Sequence, residues 1–232
     1  MDARQRAEWM WENCRETCDA AKAGIQTNYY GTKNVTEALL PLLQASTDGR
    51  IVNVSSDFGL LSVSSSSDSA PFQIIHTGDE KSFFFLLPRS KVFFLRGLKR
   101  NSLPMQHFSS EELKQELNDV EKLTEERLDE VLAAFLSDFD AGEAEARGWP
   151  AAFAAYKVAK AAMNSYSRIL TARQLALRVN CVHPGYIKTD LTAHSGLLTP
   201  EEGGRRVVKV ALLPEGGVTG AFFEDGEEAS FV

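Results

Sequence analysis

The sequence predicts an α/β fold built around a buried parallel sheet, and three observations carry that expectation. Two stretches, Arg50-Ile51-Val52-Asn53-Val54-Ser55-Ser56 and Leu177-Arg178-Val179-Asn180-Cys181-Val182-His183, are apolar and rich in β-branched residues. The first ends in small polar residues and the second in Pro184-Gly185, as buried parallel strands do where α/β sheets place their ligands. Helical patterns stand before, between and after them, so the order is strand, long helix, strand, helix, strand. The composition is that of a globular chain: of 232 residues, 44% are apolar and 25% charged, which excludes pervasive disorder and low-complexity architectures.

The elements follow in order. Residues 2–22 form a polar, amphipathic helical pattern. A more apolar helix runs from Ile25 to Leu43 through Tyr29, Val35, Ala38, Leu39 and Leu42, and stops at the turn cluster 45–49. The strand at 50–56 comes next. Residues 62–108 then depart from the alternation. A serine run leads into Phe83-Phe84-Phe85 and Phe93-Phe94 among basic residues, with neither helical nor strand period. This stretch is expected to be an irregular, disordered insertion rather than a membrane-surface segment. Ser109 and Glu112 form a capping-box pattern ahead of Leu113, Leu117 and Val120, and Thr124 caps a helix bearing Leu128, Val131, Leu132, Phe135 and Leu136. Residues 111–146 hold 13 Asp and Glu against three Lys and Arg, the mark of solvated helix faces. After Gly148-Trp149-Pro150 an Ala-rich helix extends to Arg173. Thr199-Pro200-Glu201-Glu202 starts another, with Pro at its first position. Gly220-Ala221-Phe222-Phe223 is a final short strand before an acidic tail.

Charge and cysteine usage narrow the partners. A formal charge of −7 opposes binding to nucleic acid or an anionic membrane. No apolar stretch reaches the ~18 residues of a spanning helix, and the N-terminus lacks a signal-peptide pattern. Three scattered cysteines suit a reducing compartment, so a cytoplasmic protein is expected. Cys14 and Cys18 lack the further ligands a zinc site needs, and no metal is expected.

The chemistry centres on Tyr156 and Lys160, which at i and i+4 leave one face of the Ala-rich helix. An ammonium beside a phenol favours the phenolate, so a lowered Tyr156 pKa is expected, suiting proton exchange with a carbonyl or alcohol oxygen. Ser56, at its strand end, can hydrogen-bond the same oxygen. Asn28, on the buried helix, is a candidate to hold a water behind the lysine. Asn180 and His183 are read as structural.

Four segments occur in order: Thr27-Asn28-Tyr29-Tyr30-Gly31-Thr32, 50–56, Tyr156-Lys157-Val158-Ala159-Lys160, and Asn180 to Asp190 with Pro184-Gly185 inside it. Together they resemble the short-chain dehydrogenase/reductase family over roughly residues 20–61 and 109–230. The acidic helices before Trp149 resemble the extra segment of its monomeric carbonyl reductase branch, the plant menthone- and salutaridine-type members above all. The resemblance implies a Rossmann-like, doubly wound parallel sheet and a catalytic tetrad of Asn28, Ser56, Tyr156 and Lys160. Tyr156 would be the acid/base, and Lys160 would also touch the nicotinamide ribose. Pro184, Gly185, Ile187 and Thr189 would line the nicotinamide. NADPH is the implied cofactor and a small-molecule ketone or alcohol the substrate. The chain would be a single partial domain and a monomer, with residues 109–147 covering the face where other members pair.

The family's glycine-rich phosphate turn and its Asn-Asn-Ala-Gly motif have no counterpart here, so the first βαβ half of the fold is expected to be absent. Two readings follow: a carbonyl reductase using the tetrad, or a truncated, catalytically silent chain unable to bind the dinucleotide.

Overall fold

A computed structural model describes residues 1, 2, 5–7, 9, 13, 16–61 and 108–231, and the backbone of three short stretches between 73 and 96. It divides into two units, residues 1–62 with 107–232, and residues 63–106.

In the larger unit the chain rises through helix α1 (Cys18–Ile25), one π-helical turn (Gln26–Tyr30) and helix α2 (Gly31–Gln44) without a break. Only the end of the first helical pattern, from Cys18 on, forms one rod with the second through the wider turn; the non-helical Glu16 and Thr17 interrupt that pattern. Thr17 caps the rod, its hydroxyl accepting from the Ala20 amide at 3.2 Å. Strand β1 (Arg50–Val54) follows. The smaller unit comes next along the chain, and its described backbone is an antiparallel sheet of β2 (Gln73–His76), β3 (Ser82–Leu86) and β4 (Val92–Arg96). Runs of Phe with Ile and Val have high β-propensity even without strict alternation, which is why strands stand within a stretch expected to be irregular. The rest of that expectation, like Cys14, lies outside the described residues.

Back in the larger unit, helices α3 (Glu111–Asn118) and α4 (Glu125–Asp140) lead to the central helix α5 (Ala154–Arg173). Then come β5 (Arg178–His183), α6 (Pro200–Ala211), β6 (Phe222–Glu224) and β7 (Glu227–Ala229). The order across the sheet is β1-β5-β6-β7. β1 pairs in parallel with β5, Arg50 opposite Arg178 to Val54 opposite Val182, and β5 pairs in parallel with β6. β7 turns back antiparallel on β6, so the acidic tail is a hairpin strand that alternation alone did not reveal.

Two boundaries move from expectation. The cap of α3 is Ser110, not Ser109: its hydroxyl accepts from the Leu113 amide at 3.2 Å and donates to Glu112 at 2.9 Å, while the Ser109 amide is tied to Gly148 O. The last parallel strand starts at Phe222 because Gly220, at φ 74°, still turns.

The core gathers on α5, which is buried on nearly every side and Ala-rich enough to let its neighbours approach closely. Tyr29, Leu117, Leu128, Leu132 and Phe135 pack into the same cluster. Trp149 is set edge-on to Phe135 at 5.3 Å and donates its indole N–H to Asp138 at 2.8 Å. Lys33 of α2 reaches Glu125 and Asp129 of α4 at 3.3 and 3.2 Å. The acidic segment is thus an integral layer of this unit. A polar stripe interrupts the apolar packing: Tyr156, Lys160, Asn164 and Ser167 recur at i, i+4, i+8 and i+11 on α5. Opposite them lie Asn53 and Ser55, alternate residues that share one face of the β1 segment.

Candidate active site

That stripe builds the site. The Asn53 side chain donates to Ser167 Oγ at 2.8 Å, Ser55 Oγ donates to Asn164 Oδ1 at 2.6 Å, and Asn164 Nδ2 donates to Gly59 O at 3.1 Å. All these groups are buried, and each bond satisfies what would otherwise be a costly orphan. The network locks the end of β1 and the following 3₁₀ turn (Asp57–Gly59) onto α5. Gly59 is needed there: a Cβ on it would lie 2.7 Å from Lys160 Cβ and 2.8 Å from the Lys160 carbonyl carbon. With the turn seated, the Ser56 hydroxyl stands beside the Tyr156 phenol, near enough to favour its ionised form. Ser56 Oγ also donates to Asp57 at 2.8 Å. Of the two adjacent serines, Ser56 therefore faces Tyr156 and Ser55 is engaged with Asn164.

Lys160 lies beneath, its ammonium 5.7 Å from the centre of the Tyr156 ring and donating to Val54 O at 2.9 Å. The expected lowering of the Tyr156 pKa is not what this arrangement gives. Burial holds the phenol above its ordinary value and the Asp57 charge adds to that, against the opposing Ser56 hydroxyl. Burial also pushes Lys160 below the ordinary lysine value. The phenol is accordingly in its proton-donating form at neutral pH. Asn28 stands in the π-turn, its side chain donating to Gly24 O at 3.0 Å and its carbonyl accepting from Thr32 at 2.9 Å. Its described hydrogen bonds stay within the rod, and none joins Tyr156 or Lys160. π-turns of this kind recur at functional sites.

The loop after β5 is tightly held. Pro184 O accepts from Arg206 at 3.1 Å, and Gly185 takes φ 96°, where a Cβ would strike Arg206 and Leu198. Ile187 bridges to Leu198, and its carbonyl accepts from the Thr192 hydroxyl at 2.7 Å. The Thr189 amide donates to that same hydroxyl at 3.1 Å. The loop follows directly from β5, whose C-terminal residues pair in parallel with those of β1. Among the described residues no group of three or more His, Cys, Asp or Glu could hold a metal, and no helix is long and apolar enough to cross a membrane.

Sequence reasoning missed a charged cluster at these strand ends. His183 Nδ1 is buried 3.9 Å from Asp57, and Glu224 feels Asp57 and Asp225, with Arg206 bonded to Asp225 at 2.6 Å. Burial, then those two negative charges, push Glu224 up to about 7, the Arg206 charge opposing. A carboxyl raised from 4.5 when folded stabilises the fold below 4.5 and loses that contribution as pH rises through about 7. Glu224→Gln should therefore raise stability above pH 7 by about 1–2 kcal/mol, after discounting for partial exposure, and leave it unchanged below pH 4.5. Urea denaturation across that range checks it, and an equal effect at both ends would contradict the assignment. Asn164 was legible in principle, since it continues the Tyr156–Lys160 face by one more turn. The Glu224 cluster was not, because its members come from segments far apart along the chain.

The comparisons bear on the fold and the kind of protein this chain resembles. No family model matches the chain. Short-chain dehydrogenase/reductase 1 of Saponaria officinalis is 37% identical over 94% of this chain and 57% of its own length. (-)-Isopiperitenone reductase of Mentha piperita is 38% identical over 90% of this chain and 52% of its own. The solved structure of salutaridine reductase from Papaver somniferum superposes with a TM-score of 0.69 at 35% identity, covering 90% of this chain and 56% of that one. The chain is similar to these plant short-chain dehydrogenases/reductases over about nine-tenths of its own length. It shares their parallel, Rossmann-like sheet and spans about half the length of the curated relatives it matches.

Proposed function

We propose that the chain carries the catalytic centre of an NADPH-dependent carbonyl reductase acting on a small-molecule ketone, with the reverse oxidation of the alcohol. The observation that carries this reading is the convergence of Ser56, Tyr156 and Lys160 where the β1 segment meets α5. NADPH would supply the hydride. The residues of this chain then do the rest: the Ser56 hydroxyl hydrogen-bonds the carbonyl oxygen, and Tyr156, a protonated phenol, gives its proton to that oxygen as negative charge develops. Lys160 uses one of its three N–H donors on Val54 O. The others suit ribose hydroxyls, and its charge eases the phenolate left behind. Pro184, Gly185, Ile187 and Thr189 would border the nicotinamide, a role their fixed loop geometry favours. Asn28 would act through water from the π-turn. The names of the relatives, all reductases or dehydrogenases, support the reaction class, and Carbonyl reductase [NADPH] 1 of Rattus norvegicus supports the cofactor. A cytoplasmic monomer, with α3 and α4 laid over α5, completes the reading.

A second reading, a catalytically silent chain, is favoured by one observation. Among the described residues no strand pairs with the outer edge of β1, where Val54 is 46% exposed, and Val35, Leu39 and Leu42 of α2 are exposed as well. An open edge and an uncovered apolar face are poor supports for a dinucleotide site. NADPH titration of the 232-residue chain, followed by tryptophan quenching and nucleotide fluorescence, separates the two. Saturable binding within about 1 μM to 1 mM, with ketone-dependent loss of NADPH absorbance, establishes the first. Absence of saturation through that range establishes the second.

A further inference from the structure

Helix α5 begins without a cap of its own. Phe153, the residue before it, takes the left-handed conformation at φ 50° and offers no side-chain oxygen to the first-turn amides. A residue remote in sequence fills that place. Glu16 Oε2 accepts from the Ala155 amide at 3.3 Å, and the amides of Ala154 and Tyr156 on either side favour the charge of the same carboxylate. Three successive amides, the third being that of Tyr156, thus converge on one carboxylate at the positive end of the helix.

The next residue answers that charge. Lys157 is completely buried, and its ammonium lies 5.5 Å over the ring of Phe58. Among the described residues, the charges acting on it are Glu16, from the segment before α1, and Asp57, from the turn after β1. Burial lowers it to about 8, and Glu16 is the stronger of the two groups that oppose this. Phe58 meets the Tyr156 ring edge-on at 6.3 Å and the Phe153 ring at 6.3 Å. The path from carboxylate to phenol is therefore short: Glu16 fixes the first turn of α5, and Lys157 fixes the aromatic ring on which Tyr156 leans.

We propose that Glu16 and Lys157 are a pair of positioning residues that hold the Tyr156 phenol against Ser56, acting through the first turn of α5 and the Phe58 ring. The inference rests on the reductase reading for its purpose and on the geometry alone for its mechanics. Neither residue reaches the reacting atoms. A helix with frayed first-turn amides would let Tyr156 move by fractions of an ångström, enough to weaken proton transfer without changing what binds.

Amide hydrogen exchange on the full chain tests the mechanics without any turnover. Glu16→Gln keeps an acceptor oxygen but removes the charge. It should speed exchange at 154–156 about five- to tenfold while leaving 168–173, at the far end of the same helix, unchanged. The same variant should move the Lys157 titration below about 8, read by NMR after reductive methylation. Glu16→Asp, which keeps the charge on a shorter stem, should restore the titration and part of the protection, and it stands in should Glu16→Gln fail to fold. Exchange that rises uniformly along α5, or not at all, together with an unmoved lysine, overturns the proposal. Where turnover is measured, Lys157→Met should lower kcat with little change in KM, and a change in KM alone also overturns it. A chain without turnover in which the exchange and titration shifts still occur would refute the reductase reading and leave the clamp standing.

Discussion

Tyr156→Phe is expected to abolish carbonyl reduction while leaving the fold in place. The ring stays packed edge-on against Phe58, and only the hydroxyl that meets Ser56 is lost. Without that proton donor the oxygen of the substrate gains charge with no acid beside it, and the rate should fall by about 10²–10⁴. NADPH affinity should change far less, because Lys160 and the 184–189 loop are untouched. The readouts are single-turnover NADPH oxidation, nucleotide titration and the thermal midpoint. Unchanged turnover would refute the mechanism, and a large fall in midpoint would mean that the hydroxyl is chiefly structural. Acid catalysis also has a sign in pH. The phenol is held above its ordinary value, so reduction should persist well into alkaline solution and fail only as the phenol ionises.

Gly59→Ala should have the largest effect on the folded state of the site. The added Cβ would sit 2.7 Å from Lys160 Cβ and 2.8 Å from the carbonyl carbon of the same residue, so helix backbone, not a flexible side-chain tip, would have to yield. Overpacking of this kind costs about 1–3 kcal/mol. Here the displacement would also pull Gly59 O from Asn164 and shift Ser56, whose carbonyl accepts from the Gly59 amide at 2.9 Å. Stability and catalysis should fall together. A denaturation midpoint lowered with kcat unchanged would show that the turn can move without carrying Ser56.

Local signals explain most of what the sequence disclosed. Caps at Thr124 and Thr199 are read correctly because a hydroxyl three residues ahead of an amide is a local event; both bonds form, at 3.1 and 3.2 Å. β5 is legible because burial on both faces demands a nearly unbroken apolar run; β1 carries the same apolar, β-branched pattern although Val54 is exposed. The Tyr156–Lys160 relation is legible because helical period fixes it whatever surrounds the helix. Errors arise where neighbours compete for one role. The capping-box spacing points to Ser109, but it is the adjacent Ser110 whose hydroxyl reaches the Leu113 amide, while both serine amides bond Gly148 O from a distant segment. The direction of the Tyr156 pKa is misjudged for the same reason. Spacing places an ammonium nearby, but only the fold turns it toward Val54 O and buries the phenol.

By itself the sequence determined an α/β chain with parallel strands within 50–56 and 177–183, a tyrosine and a lysine on one helical face, and a resemblance to a family of reductases. Each of these depends on residues close together along the chain or on a motif carried intact. The tertiary structure alone decided that Ser56 meets Tyr156 while Ser55 is spent on Asn164, that Glu16 caps a helix beginning at Ala154, and that Glu224 stands among acidic neighbours. Those are contacts between segments far apart in sequence. Their geometry follows from sheet register and from the close approach that glycine and alanine permit, quantities that no local pattern records.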